Sequence, residues 1–358
     1  MRLKDFGWSD FFMPHMAPLA EDGLVPGRVV LVQRGLVQLE TEDGERTAEV
    51  SGRLRHLAEC GDAELPAIGD WVAFRASPGD GTVLIDAVLP RRSKLSRKRA
   101  GTRSAEQVVA ANVDTVLAVM GLDGDFNPRR LDRFLAMIWD SGARPVVVLN
   151  KADLPSADAE ARRAGLEESL LGVEVVSLSA LDGHGVDALD PFLRPGQTLA
   201  LVGSSGVGKS TLVNRLAGRE VLRIGVVRRS DDRGQHTTTH RELVRLASGA
   251  LLIDNPGVRE IQLWSTDDGE GLGQTFEDIE RLAEHCRYRD CGHHDEPGCA
   301  VRAAVESGGL DARRLANLHA LEREQRYLEL RVDEHARRQD QRRTAAIHKA
   351  AKRHKPRF

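Results

Sequence analysis

Short strand-like runs broken by glycine-containing turns dominate the first ninety residues. Gly27–Val32, Leu36–Glu40, Arg46–Val50, Asp70–Arg75 and Val83–Leu89 each read as a strand, with Asp43-Gly44 and Asp80-Gly81 as turn signals. Five short strands in about seventy residues suit a small Greek-key β-barrel. An OB-like barrel is the natural candidate if the partner is RNA, although an SH3-like barrel would show the same pattern.

Further along, the pattern changes to continuous apolar runs. Arg144–Leu149, Val173–Leu178, Thr198–Val202 and Ala250–Ile253 are strands of the kind that a parallel sheet buries on both faces, and Thr211–Leu216 opens an amphipathic helix directly after one of them. A doubly wound α/β core follows from this. Phe276–Ala283 and a longer segment through Leu315, Leu318, Leu321, Leu328 and Val332 then set apolar residues on one helical face. The expected division is a barrel with its leading tail over 1–90, a basic linker over 91–105, an α/β core over 106–268, a helical domain over 269–334 and a tail over 335–358.

Length agrees with two or three domains, since the chain has 358 residues. Net charge is only −3, but it hides local poles. Acidic residues crowd Asp158–Glu174 and Asp267–Glu284, whereas Arg91–Arg103 lacks any acid and the segment Ala336–Phe358 sets nine Lys and Arg residues against Asp340 alone. Contact with a polyanion must therefore be made patch by patch. No apolar run approaches the length of a membrane span, and Met1–Asp22 has neither an h-region nor a cleavage signal, so a cytoplasmic protein without a membrane partner is expected.

Chemistry enters most clearly after Thr198–Val202. Gly203-Ser204-Ser205-Gly206-Val207-Gly208-Lys209-Ser210-Thr211 is a full phosphate-loop motif in its strand, loop, helix setting. Its glycines let successive N–H groups curl around phosphates, Lys209 reaches the β and γ oxygens, and the Ser210 hydroxyl can ligate Mg²⁺. Asn150-Lys151-Ala152-Asp153 ends another strand at the carboxyl edge of the sheet, where such folds bind ligands. The Asp153 carboxylate can accept from N1–H and the 2-amino group of guanine. Adenine has neither donor there and would leave the charge unpaired, at roughly 1–3 kcal/mol or more. Lys151 would cover the base, Asn150 would tie this loop to the phosphate loop, and Ser179-Ala180 fits a companion loop whose Ala180 N–H meets guanine O6.

Asp254 ends a further strand and can hold Mg²⁺ through water, while the Gly257 N–H faces the γ-phosphate. Between Ser210 and Asp254, Gly234–His240 reads as a switch loop in which one of Thr237, Thr238 and Thr239 could close on Mg²⁺; the pattern does not choose among them, and Thr238 is taken as the ligand. The order of these parts is unusual. The base-reading motif comes first, the phosphate loop second and the Asp254 motif last, so an ordinary GTPase has been cut at another point. Separately, Cys286-x₄-Cys291-x-His293-x₅-Cys299 supplies four N/S ligands within fourteen residues, the pattern of a closed structural Zn²⁺ site; His294 is the adjacent alternative for the nitrogen.

On the permuted order, the His236-Thr237-Thr238-Thr239-His240 run, the cysteine cluster and the β-rich N-terminal segment, the chain resembles the circularly permuted ribosome small subunit-dependent GTPases. It departs from their pattern at Asn255, where Thr is usual, and at Gln235, where a basic residue is common; Asn255 is not expected to touch metal, so that change bears on neither binding nor fold. The resemblance selects His293 as the nitrogen ligand. It implies hydrolysis of GTP to GDP and phosphate, slow alone and stimulated by the small ribosomal subunit during late maturation. The implied partners are that subunit, its rRNA and other assembly factors, met by a monomer with basic segments on RNA phosphates. Val258 stands where Ras-like enzymes place a water-orienting glutamine, and the resemblance points to His236, whose neutral imidazole can accept from water, as the catalytic substitute beside Lys209 and Gly257. Two alternatives stay open: a regulatory GTPase that switches a protein partner, and an RNA-binding module that holds GTP as a structural ligand.

Overall fold

The computed structural model describes residues 2–33, 36–76, 81–98, 106–124, 126–218, 242–254 and 270–332. Helices α1 (Arg2–Asp5) and α2 (Met13–Glu21) lead into β1 (Leu24–Gln33), β2 (Leu36–Thr41) and β3 (Gly44–Val50), then α3 (Gly52–Cys60), β4 (Trp71–Arg75) and β5 (Val83–Val88). Strand β1 pairs with both β2 and β4, β4 pairs with β5, and β5 closes the ring by running parallel to β3, with Ala48 opposite Val83. The barrel is OB-like. Alternation alone told which face of each strand is buried but not its neighbours; the parallel closure and a helix between the third and fourth strands decide against an SH3-like arrangement. Helix α3, absent from the sequence reading, starts on the Ser51 side chain, which accepts from the Leu54 N–H at 3.2 Å. Val29, Leu39, Leu54, Val72, Phe74 and Ile85 fill the interior.

The stretch expected to be a linker contains β6 (Lys94–Lys98), which forms a two-stranded antiparallel sheet with β7 (Glu106–Ala111). Some of its charge is spent inside the protein. The Arg91 guanidinium grips both oxygens of buried Asp70 at 2.7 Å, and Lys94 pairs with Glu106 at 3.1 Å. Burial pushes the Asp70 carboxyl up to about 8, and the Ala67 N–H and the Arg28 charge pull the other way.

The core continues with β8 (Thr115–Gly121), α4 (Pro128–Asp140), β9 (Arg144–Asn150), α5 (Ala159–Ser169), β10 (Glu174–Ser177), β11 (Thr198–Val202), α6 (Lys209–Ala217), β12 (Glu242–Arg245) and β13 (Leu251–Asp254). Their spatial order is β10-β9-β8-β11-β13-β12, parallel throughout except for β12. Both faces are covered, as the apolar runs require, by one cluster that includes Leu131, Leu135 and Ile138 of α4 and another that includes Leu212 and Val213 of α6.

Two joints fix the neighbouring parts. On one side β1 pairs with β12 at Leu31 and Glu242, so barrel and core share one eleven-stranded sheet among the described residues. Buried Arg28 reinforces the seam by donating to the Thr198 hydroxyl at 3.1 Å and the Asn112 carbonyl at 3.3 Å, with its guanidinium 5.2 Å from the Trp71 ring. The barrel is thus more than tethered by its linker. On the other side, α7 (Glu270–Thr275), α8 (Glu277–Ala283), α9 (Ala300–Ser307) and α10 (Ala312–Val332) pack around Phe276, Ile279, Val301, Leu318 and Leu321, with Ala136 of α4 in the same cluster. Arg314 binds Asp278 at 2.6 Å and Asp132 of α4 at 3.2 Å, and the Asn317 amide donates to Asp132 at 2.7 Å.

Candidate functional site

The phosphate loop joins the central strand β11 to α6, and its glycines are demanded by space as well as by conformation. Gly203 lies at φ +146, where an added Cβ would stand 2.3 Å from the Val119 carbonyl oxygen; at Gly208, with φ +94, it would stand 2.3 Å from the Asn150 amide nitrogen. Lys209 is buried. Its ammonium donates to the Gly203 carbonyl at 2.6 Å and to the Ser204 carbonyl, which holds it across the mouth of the loop.

Asn150 makes the junction expected of it. From the end of β9 its Nδ2 donates to the Val207 carbonyl at 2.7 Å, while its Oδ1 accepts from the Ala180 N–H at 2.9 Å. One buried amide thereby fixes three loops. The second bond qualifies the part expected of Ala180, because its N–H is already engaged and guanine O6 would have to share it. Ser179, fully buried, accepts from the Asp182 N–H at 3.3 Å, and Arg215 of α6 donates to the carbonyls of Ala180 and Leu181. Lys151 adopts a left-handed conformation, φ +68, and its ammonium pairs with Asp123 at the end of the β8 segment. Asp153 is exposed, Ala152 half-buried, and its N–H donates to the Leu178 carbonyl at 3.1 Å.

Ser205 and Gly206 form the exposed crest of the loop, and half-buried Ser210 and Thr211 open α6. Strand register sets Asp254 one residue past the Ala200–Ile253 pair, beside the end of the phosphate-loop strand. His236, Thr238 and Gly257 lie outside the described residues, as do Asn255, Gln235, Val258 and the basic tail. Three contacts escaped the sequence reading: Asp123 with Lys151, Arg215 with the base loop, and Arg130 of α4, whose guanidinium donates to the Ser204 hydroxyl. No motif marks them; only strand order brings β8 and α4 beside the phosphate loop.

The second centre is the cysteine cluster. Cys286, Cys291, His293 and Cys299 present ligand atoms all within 4.8 Å of one another. His293 Nδ1 lies 3.7 Å from Cys286 Sγ and 3.5 Å from Cys299 Sγ, and these two sulfurs are 3.9 Å apart. A tetrahedron with zinc-like bond lengths has edges of about 3.6 Å for N to S and about 3.8 Å for S to S, so the donor set fits Zn²⁺. His294 turns away, its ring 4.3 Å from that of His319.

A phosphate loop in mid-sheet, a guanine-type motif wired to it through Asn150, and the two in reversed chain order define a circularly permuted P-loop GTPase. Comparisons with known proteins agree. The family model described as RsgA GTPase matches residues 88–264. The Small ribosomal subunit biogenesis GTPase RsgA of Opitutus terrae is 48% identical over 93% of this chain and 92% of its own. The crystal structure of YjeQ from Thermotoga maritima superposes with a TM-score of 0.65 at 28% identity, over 84% of this chain and 98% of that one. That of YloQ, titled a circularly permuted GTPase, gives 0.62 at 24% identity over 84% and 95%, and so supports the fold. The chain belongs to the RsgA GTPase family.

Proposed function

We propose that this GTPase binds the small ribosomal subunit and hydrolyses GTP on it during late maturation. The observation that carries the reading is the Asn150 bridge, whose amide joins the Asn150–Asp153 loop to the phosphate loop and to Ala180; the relative from Opitutus terrae, named for small ribosomal subunit biogenesis, supports the partner. Asp153 would pair with guanine, Lys151 would cover the base, and Lys209 with the loop N–H groups would hold the phosphates. Ser210, Thr238 and Asp254 would hold Mg²⁺, which when bound neutralises charge on the β and γ oxygens. His236 would accept a proton from water as the water oxygen bonds to the γ-phosphorus and the bond to the β–γ bridging oxygen breaks, releasing GDP and phosphate.

Cys286, Cys291, His293 and Cys299 would hold a structural Zn²⁺, a closed site with no position left for substrate. The OB-like barrel, the basic Arg91–Arg103 stretch and the C-terminal tail would meet rRNA. Among the described residues no helix is long and apolar enough to cross a membrane. The protein would work in the cytoplasm, as a monomer alongside other assembly factors.

GTP turnover with and without purified small subunits tests this reading. Slow release of phosphate alone, accelerated by subunits and binding that weakens steeply with added salt, is expected. Turnover indifferent to subunits would favour a regulatory GTPase with a protein partner, and no turnover under either condition would leave a GTP-holding RNA-binding module.

A further inference from the structure

We propose that Arg130 is a second cation for the γ-phosphate, reaching the phosphate loop from α4 at its Ser204 end. This rests on the reading of Gly203–Thr211 as the nucleotide phosphate site. The loop has a direction that the hydrogen bonds reveal. Its Val207 carbonyl is bound by Asn150, so that end faces the base-reading loop. Its Gly203 and Ser204 carbonyls are bound by the Lys209 ammonium, and the lysine of this motif serves the β and γ oxygens. The Ser204 end is therefore the terminal-phosphate end.

Arg130 lies at that end, with its guanidinium on the Ser204 hydroxyl. Its backbone is held there by the start of α4. Asn127 caps the helix by accepting from the Arg130 N–H at 3.3 Å, Pro128 fixes the first turn, and the next residues, Asp132 and Arg133, bind Asn317 and Glu324 of α10. A neutral hydroxyl is a weaker acceptor for a guanidinium than a phosphate oxygen, whose negative charge adds Coulombic attraction and allows a bidentate pair. When a γ-phosphate enters, its oxygens compete with the partners the guanidinium already has, Ser204 among them; GDP brings no such oxygen. Arg130 thus favours the triphosphate over the diphosphate, and α4 links that contact to the C-terminal domain.

The experiment measures affinities of the full chain, with Mg²⁺ present, for GDP and for a non-hydrolysable GTP analogue, in the unmodified protein, Arg130→Ala and Arg129→Ala. Arg129 is the exposed neighbour and controls for loss of one positive charge. Arg130→Ala is expected to weaken the analogue by about tenfold or more and GDP by less than about twofold, while Arg129→Ala keeps the ratio of the two. Equal weakening of both nucleotides by Arg130→Ala, or none, overturns the proposal, because the arginine would then only shape the loop or play no part. An equal fall in the ratio in Arg129→Ala overturns it too, as a general field effect. If the unmodified chain binds neither nucleotide, the phosphate-site reading fails, and this proposal with it.

Discussion

Replacing Arg314 with alanine should loosen the joint between the core and the C-terminal helices in a pH-dependent way. The guanidinium is one-tenth exposed and lies 4.7 Å from the Phe276 ring; it binds Asp278 at 2.6 and 2.8 Å, Asp132 at 3.2 Å, and the carbonyls of Thr275 at 2.8 Å and Ser169 at 3.1 Å. Without it, buried Asp132 keeps only the Asn317 amide among these partners, and Asp278 loses its forked contact. Breaking a buried pair in this manner costs about 3–5 kcal/mol. Burial already holds the Asp132 carboxyl above its usual range, with Arg314 pulling the other way, so the substitution raises it further. A carboxyl whose folded pKa exceeds its unfolded value binds more protons in the native state between the two values. Its stability contribution is then fully present below the unfolded pKa and is lost as pH rises through the folded one. Urea unfolding of the C-terminal domain, followed by circular dichroism, should show the full loss near pH 8 and a smaller one near pH 5.5. A loss below about 1 kcal/mol at both values, or one that grows toward acid, would refute the reasoning.

Asn150→Ala leaves the Val207 carbonyl and the Ala180 N–H without their partner, at about 1–3 kcal/mol each, so GTP affinity measured by titration calorimetry should fall at least about tenfold. His236→Ala should keep GTP affinity and lose subunit-stimulated phosphate release; undiminished stimulation would remove His236 from the chemistry. Elemental analysis of the unmodified protein should give one zinc per chain, and Cys291→Ser should abolish it and lower the melting temperature of the C-terminal domain; retained zinc would exclude Cys291 as a ligand.

Local chemistry was legible wherever function and geometry are carried by adjacent residues. Spacing could bring Gly203, Gly208 and Lys209 into one loop because the chain between β11 and α6 closes on itself, and could group the cysteines with His293 because their side chains come from one short segment. The five barrel strands were visible through alternation, and Asn150 as a bridge through its motif. Less was legible where helices are weakly patterned or contacts are distant. Helix α3 has few apolar residues and passed unseen, and β8, the buried partner of both β9 and β11, was not read as a strand.

Sequence alone determined the permuted order of the nucleotide motifs, since order along the chain is a property no folding can change, and it determined the residue types able to bind phosphate, guanine or a soft metal. Tertiary structure decided neighbours. The parallel contact of β3 with β5 made the barrel OB-like, β1 on β12 fused barrel and core into one sheet, and the burial of Arg28, Asp132 and Arg314 turned charged residues into joints. Arg130 reached Ser204, seventy-four positions away, for the same reason. Pairing between distant segments depends on the packing of the whole core, and a side chain's partner across such a distance leaves no period, spacing or motif in its own neighbourhood.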